Sequence, residues 1–267
     1  MHIGDVVVEA IYDGVMRAPA TVFYGGTNTD QWAPHQRFLE PDGMIRFDIG
    51  GFLVRGPGER LVLVDAGLGP GSGLVRNGAG TFEGGALLES LAALKVRPED
   101  ISDVLFTHLH FDHIGWASQD GAIVFPNATY RCDERDWDHF RDNERVQPTL
   151  APIEERLETW DASGPLLPGI DTMAAPGHTP GSTILVMSSG SARGLLLGDV
   201  VHCPVELLDD EWAGVGDLDP QLAKRTRAAL SREIEGTDTP VAAAHFPGLV
   251  FGRLLAAEGR RQWVVNT

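Results

Sequence analysis

Cysteine is nearly absent. Cys132 and Cys203 are the only two in 267 residues, too few for a disulfide scaffold, and both read as free thiols. Lysine is as rare, with Lys95 and Lys224 alone, and the arginines are scattered without a cluster. No clamp for a phosphate group is therefore evident. Positive charge is in deficit as a whole: 21 Lys plus Arg against 38 Asp plus Glu give a net charge of -17. A field of that sign does not steer a chain to nucleic acid or anionic lipid. Long apolar runs are missing too. Stretches such as Leu61–Val64 and 195–197 fall far short of the roughly 20 residues that a bilayer span needs. The start MHIGDVVVEA has no basic segment leading into an apolar one. The expectation is a soluble, cytoplasmic protein acting on a small molecule, with no nucleic-acid or membrane partner and with a homo-oligomer left open.

What is present is ordinary globular material, 43% apolar and 22% charged, enough for one large or two small domains. No repeat or separating linker stands out, so residues 1–267 are expected to form a single domain. Turn chemistry such as Tyr24-Gly25-Gly26 and Pro41-Asp42-Gly43 marks 1–45 as a lid or edge element. Continuous apolar runs predict strands at Leu61–Val64, 101–107, 128–132, 183–188, 194–197 and 240–244. Helical spacing covers 86–94, and the Asp219-Pro220 pair caps a helix reaching about residue 235. The Gly-rich tract 67–85 reads as a loop, and the charged stretch 133–160 as a partly exposed helix. Alternating strands and helices make this an α/β chain.

Three of nine histidines, His108, His110 and His113, lie within six residues together with Asp112. A turn at a strand's end can bring all four side chains together, which suits a cation needing nitrogen and oxygen ligands. His178, in Pro-Gly-His-Thr-Pro-Gly, His245, in Ala-His-Phe-Pro-Gly, and Asp199, after an apolar run, each stand at the end of a strand candidate. Open α/β sheets place their sites at such ends. Any one of them alone reads as a turn former or a satisfied polar residue. Together they add three donors to the first four.

The ordered set His-x-His-x-Asp-His, Gly-His-Thr-Pro-Gly, Gly-Asp and a final His resembles the metallo-β-lactamase superfamily, from the strand ending at Asp65 to His245. The resemblance implies an αβ/βα sandwich of two mixed sheets flanked by helices, with two divalent metals between the loop edges. It implies that His108, His110 and His178 hold one metal, that Asp112, His113 and His245 hold the other, and that Asp199 bridges them. Asp65 would support the ligands from behind. Zinc is expected, although such donors also accept Mn, Co or Fe. Two cations at roughly 3.5 to 4 Å can share a hydroxide formed near neutral pH. The chemistry expected is hydrolysis, with Asp112, Asp199 and His202 as the catalytic side chains.

Within the superfamily the chain looks closest to the branch of N-acyl homoserine lactone lactonases and methyl parathion hydrolase. The lactonases commonly carry a Tyr three residues after the bridging Asp, and this chain has His202 there. His202 can donate a ring N–H to a substrate oxyanion or leaving group. Cys203 reads as a wall residue. Aromatics near the motifs, Phe111, Trp116 and Phe246, favour small, partly apolar esters or lactones, and the pocket wall is expected from Trp32 and from the Trp137 to Phe140 region. Trp212 is a more distant contributor. The alternatives are a thioester hydrolase of the glyoxalase II type, a mononuclear iron persulfide dioxygenase and, against the charge, RNA processing.

Overall fold

The computed structural model describes residues 1–75, 78–257 and 259–266. Two large mixed sheets form among these residues. The first runs in space through Leu157–Trp160, Thr129–Asp133, Asp103–Leu105, Leu61–Val64, Met44–Arg55, Val6–Pro19, Gly80–Gly84 and Gly71–Val75. The second runs through Gly164–Leu167, Ile170–Ala174, Thr183–Ser189, Ala192–Leu196, Val241–Ala242, Gly252–Ala257 and Arg260–Val265.

The apolar runs have two buried faces because each sheet is covered on both sides. Val54, Val62, Val64 and Leu105 of the first sheet meet Leu185, Met187, Leu196 and Ala242 of the second in one cluster. The outer face of the first sheet, at Leu63, Val104 and Tyr130, is covered by Leu87 and Leu91 of the helix Leu87–Ala93 and by Leu150 and Ile153. The outer face of the second, at Ile184, Leu195 and Val241, is covered by Leu230 and Ile234 of the helix Pro220–Ile234. Helix, sheet, sheet, helix is the order of layers, the expected αβ/βα sandwich. At about 25 cal/mol per Å² of apolar surface removed from water, these three apolar interfaces are the main source of the sandwich's stability.

The segment 1–45 divides. Val6–Pro19 pairs with Met44–Arg55 on one side and with Gly80–Gly84 on the other, so it is an inner strand. Residues 20–39 instead carry one-turn helices, Ala20–Phe23 and Thr29–Trp32, and a 3-10 helix, Ala33–Phe38, and Phe23, Tyr24 and Trp32 pack with Phe47, Cys203 and Trp212. The Gly-rich tract contains a hairpin, Gly71–Val75 with Gly80–Gly84. Its glycines mislead a reading by composition, because the ladder to Val6–Pro19 supplies the order that side chains do not. Within 133–160, α-helix is confined to Glu134–Phe140 and Gln147–Leu150, a 3-10 helix follows at Ala151–Arg156, and Leu157–Trp160 is a strand parallel to Thr129–Asp133.

Candidate metal centre

Strand ends of both sheets open onto one edge of the sandwich. After Asp103–Leu105 the chain turns through Thr107 into His108 and His110, and a short helix, Phe111–Ile114, carries Asp112 and His113. The second sheet supplies His178 before Thr183–Ser189, Asp199 after Ala192–Leu196 and His245 after Val241–Ala242.

Two backbone devices set the geometry. Asp65 adopts φ 57, unusual for a residue with a side chain, and its carboxylate then accepts from the Thr107 backbone N–H at 2.8 Å and from Thr107 Oγ1 at 2.9 Å. The same carboxylate faces His113 Nδ1 at 3.0 Å. Gly198, at φ 52, has room for no side chain, since a Cβ there would meet Thr107 Oγ1 at 2.6 Å. The glycine before Asp199 thus lets the second sheet's loop close onto the first sheet's.

Two donor groups result. His108, His110, His178 and Asp199 each offer an atom within 4.8 Å of the others, and so do Asp112, His113 and His245. All but His110 are buried. Asp199 lies between the groups, with Oδ2 at 3.7 Å from His108 Nε2 and 3.4 Å from His178 Nε2, and Oδ1 at 3.1 Å from His113 Nε2 and 3.3 Å from His245 Nε2.

The outer nitrogens of three rings are already engaged. His113 Nδ1 faces Asp65, His178 Nδ1 faces Asp217 Oδ1 at 3.0 Å, and His245 Nδ1 faces the Asp48 carbonyl at 2.9 Å. Carboxylates and carbonyls only accept, so each of these nitrogens carries a proton and donates. The inner nitrogens then point at one another: His113 Nε2 to His245 Nε2 at 3.3 Å, His108 Nε2 to His110 Nδ1 at 3.1 Å, and His178 Nε2 to His110 Nδ1 at 2.9 Å. Facing lone pairs at such distances repel unless a proton or a cation sits between them. Asp199 Oδ1 is also buried without a hydrogen-bond partner. This donor set fits divalent metal ions.

The electrostatics point the same way. Burial pushes His108 and His110 down, with neighbouring histidines adding to the effect, and His110 falls to about 3. Burial opposes charge on His113 and His245 as well and is the largest single effect, but Asp199 together with Asp65 at His113 and with Asp112 at His245 overcomes it and raises both. Asp199 is held well below the usual carboxylate range, its burial overcome by His245, His113 and His202. The central carboxylate thus favours positive charge among the rings around it, and a metal ion competes with protons for the same nitrogens.

Beside this cluster lies a cavity of about 410 Å³, within the range of small-molecule sites. Phe23, Phe111, Phe140, Val146 and Leu218 give it apolar walls, and His110, Asp112, Asp199, His202 and His245 form its polar floor. Phe140 stands with its ring centroid 5.4 Å from that of His110. Several expected wall residues lie elsewhere. Trp32 is fully buried, 4.5 Å from Trp212 between ring centroids, and braces Phe23 and Tyr24 from behind. Trp137 packs on the core of the first sheet, and Trp116 donates to Asp13 at 2.8 Å. Phe246 packs on Trp263, and Cys203 belongs to the Trp32 cluster. Large aromatics with a core to fill are used for packing before they are used for substrate.

His202 has its ring 5.4 Å from Phe23 and its Nε2 3.3 Å from Asp199 Oδ2. Behind it, Glu206 Oε1 lies 3.4 Å from Nδ1. Burial disfavours its charge, but Asp199 and Glu206 hold its pKa up at about 10.

Sequence reasoning missed the carboxylates that hold the loops. Asp136 is fully buried and accepts from Leu109 N at 3.0 Å, Thr179 Oγ1 at 3.0 Å and Gly181 N at 2.6 Å, tying the His108–His110 loop to the His178 turn. Asp13 gathers Leu68 N, Gly69 N, Gly85 N, Leu87 N and Trp116 Nε1. Asp217 orients His178. None sits in a motif, and each satisfies partners that are distant in sequence.

A family model described as the metallo-beta-lactamase superfamily matches residues 51–245. An N-acyl homoserine lactonase of Bacillus thuringiensis is 24% identical over 211 residues, covering 73% of this chain and 81% of that one. Metallo-beta-lactamase domain-containing protein 1 of Xenopus laevis is 28% identical over 204 residues, covering 74% and 76%. Among solved structures, AidC, a dizinc quorum-quenching lactonase in complex with its product, superposes with a TM-score of 0.86 at 23% identity, over 100% of this chain and 96% of that one. The hydrolase AbOPH of the beta lactamase superfamily gives 0.81 at 25% identity, over 99% and 95%. The structural likeness to AidC is one of fold.

Proposed function

Because the chain belongs to the metallo-β-lactamase superfamily and is a metal-dependent hydrolase of that fold, we propose that it hydrolyses small, partly apolar esters or lactones at a pair of divalent metals. In this reading residues 1–267 act as one unit. His108, His110 and His178 would hold one metal and Asp112, His113 and His245 the other, with Asp199, which lies between the two groups, available to both. The observation that carries the proposal is the convergence of seven donors whose outer nitrogens, in three of the rings, are already spoken for.

When bound, the metal pair supplies an activated water and polarises the scissile carbonyl. The chain's own residues do the rest. Phe23, Phe111, Phe140 and Leu218 take the apolar part of the substrate and exclude bulk water. Asp65, Asp217 and the Asp48 carbonyl fix the imidazoles in one tautomer and one orientation. Asp112, which opens to the pocket, accepts the proton that water loses on attack. The His202 ring donates Nε2–H to the oxygen on which charge develops or departs.

The test is a panel of lactones, aryl esters, thioesters and phosphotriesters on metal-analysed protein, with N-acyl homoserine lactones included because relatives carry that name. Lactones and aryl esters are expected to show the highest kcat/KM, since Phe23, Phe111, Phe140, Val146 and Leu218 suit an apolar acyl or aryl group and Arg145, stacked on the Phe111 ring, is a single guanidinium for a thioester's multiply charged carrier. Preference for a charged thioester, or no turnover of any lactone or ester by metal-replete protein, overturns the substrate assignment.

A further inference from the structure

A single buried cation stands behind both halves of the pocket floor. Arg227, on the helix Pro220–Ile234, is 3% exposed. One arm of its guanidinium donates to the Val200 carbonyl at 3.0 Å, between Asp199 and His202, and lies 3.9 Å from Glu206 Oε2. The other arm donates to Asp217 Oδ2 at 3.3 Å. Those two carboxylates are the ones behind the site's histidines. Glu206 accepts from the His202 backbone N–H at 2.9 Å and flanks its ring. Asp217 accepts from His178 Nδ1.

We propose that Arg227 is a positioning residue, a clamp that sets the His178 ring toward its metal and the 199–202 turn toward the substrate at the same time. This rests on the two-metal reading above. The same helix grips the same loops elsewhere. Thr226 Oγ1 donates to the Pro176 carbonyl at 2.7 Å, and the backbone around Gly177 is so close that a Cβ there would lie 2.3 Å from Ala223 N. Asp219 N and Leu218 N donate to the Gly177 and His178 carbonyls at 2.9 and 3.0 Å. Only a forked guanidinium reaches a carbonyl and two carboxylates from three directions, and an ammonium at the same depth is a single point of charge. Glu206 and Asp217 are themselves buried, so without Arg227 two carboxylates face each other across the space it filled. They relieve that repulsion by moving, and His178 and the 199–202 turn move with them.

The experiment follows metal loss from holoenzyme under graded chelator, beside thermal melting, for the wild type, Arg227→Met, Arg227→Lys and Leu230→Ala. Leu230 lies on the same helix and packs in the apolar cluster that Val200 and Val201 also join, so it reports what loss of helix packing does while the guanidinium and its partners stay. Arg227→Met is expected to surrender one of two metals at a chelator concentration about 10- to 100-fold below that of the wild type, the usual scale for losing a residue that orients a ligand. The loss should match the metal that His178→Ala loses. Arg227→Lys should fall between, and Leu230→Ala should melt earlier yet keep the wild-type chelation curve. If Arg227→Met does not fold, Asp217→Asn, which keeps an acceptor for His178 and drops the charge that Arg227 pairs with, should shift the curve in the same direction by less. A wild-type curve for Arg227→Met, or an equal shift for Leu230→Ala, overturns the clamp. A wild type that binds only one metal at saturation counts against the two-metal reading, and the clamp is then judged by whether that one metal leaves Arg227→Met sooner.

Discussion

Asp199→Ala is expected to abolish most of the activity, with kcat/KM falling by about 10³-fold or more, and to bring metal content below two per chain. The size follows from what the carboxylate touches. Its two oxygens lie between the donor groups, within 3.7 Å of His108, His178, His113 and His245, so its loss weakens both sites together. Metal charge stabilisation of a transition state is worth several kcal/mol, and each 1.36 kcal/mol is a factor of ten in rate. The fold should survive, because the three apolar clusters between the layers do not include Asp199. Far-UV circular dichroism, metal analysis and steady-state rates on one preparation check the three parts. Full activity with two metals bound would remove Asp199 from the centre of the site.

The second large effect concerns the residue where the lactonase pattern is broken. His202→Ala is expected to lower kcat by about 10²-fold, the range for losing a general acid or an oxyanion donor, while metal content stays at the wild-type value. The two expectations separate because His202 lies outside both donor groups yet faces the cavity they share. His202→Tyr, which restores a donor, should retain more lactone turnover than the Ala variant. Rates of the three proteins on one lactone and one aryl ester, with metal counted in each, decide the matter. Equal rates for wild type and His202→Ala would leave His202 a packing partner of Phe23, and loss of metal would make it a ligand.

The seven side chains that converge were legible in the sequence because each belongs to a short local pattern at a strand end, and local patterns survive translation into one dimension. His108, His110, Asp112 and His113 announce themselves within six residues. The strand Leu61–Val64 and the Asp219-capped helix were legible for the same reason: a bounded apolar run, and a side chain accepting from Leu222 N at 2.9 Å. What stayed hidden depends on partners far along the chain. Asp13, Asp136 and Asp217 look like solvated acids in a chain of net charge -17, yet the side chain of each is buried because it collects donors from other loops. Arg227 is hidden in the same way, as one of several basic residues on its helix. The pocket wall was half legible. Phe111 and Phe140 line it, whereas Trp32 and Trp212 are spent on the packing behind Phe23, a choice that only the tertiary structure makes.

The proposed function stands on one chain holding two metals in the seven-donor cluster. The most direct measurement is metal stoichiometry at saturation, by elemental analysis after removal of free metal, on the wild type, His178→Ala and His245→Ala. About two metals per chain are expected in the wild type and about one in each variant, since each variant strips a donor from a different group. A wild type that saturates at one metal and a His245→Ala variant that keeps that metal and full activity would contradict it.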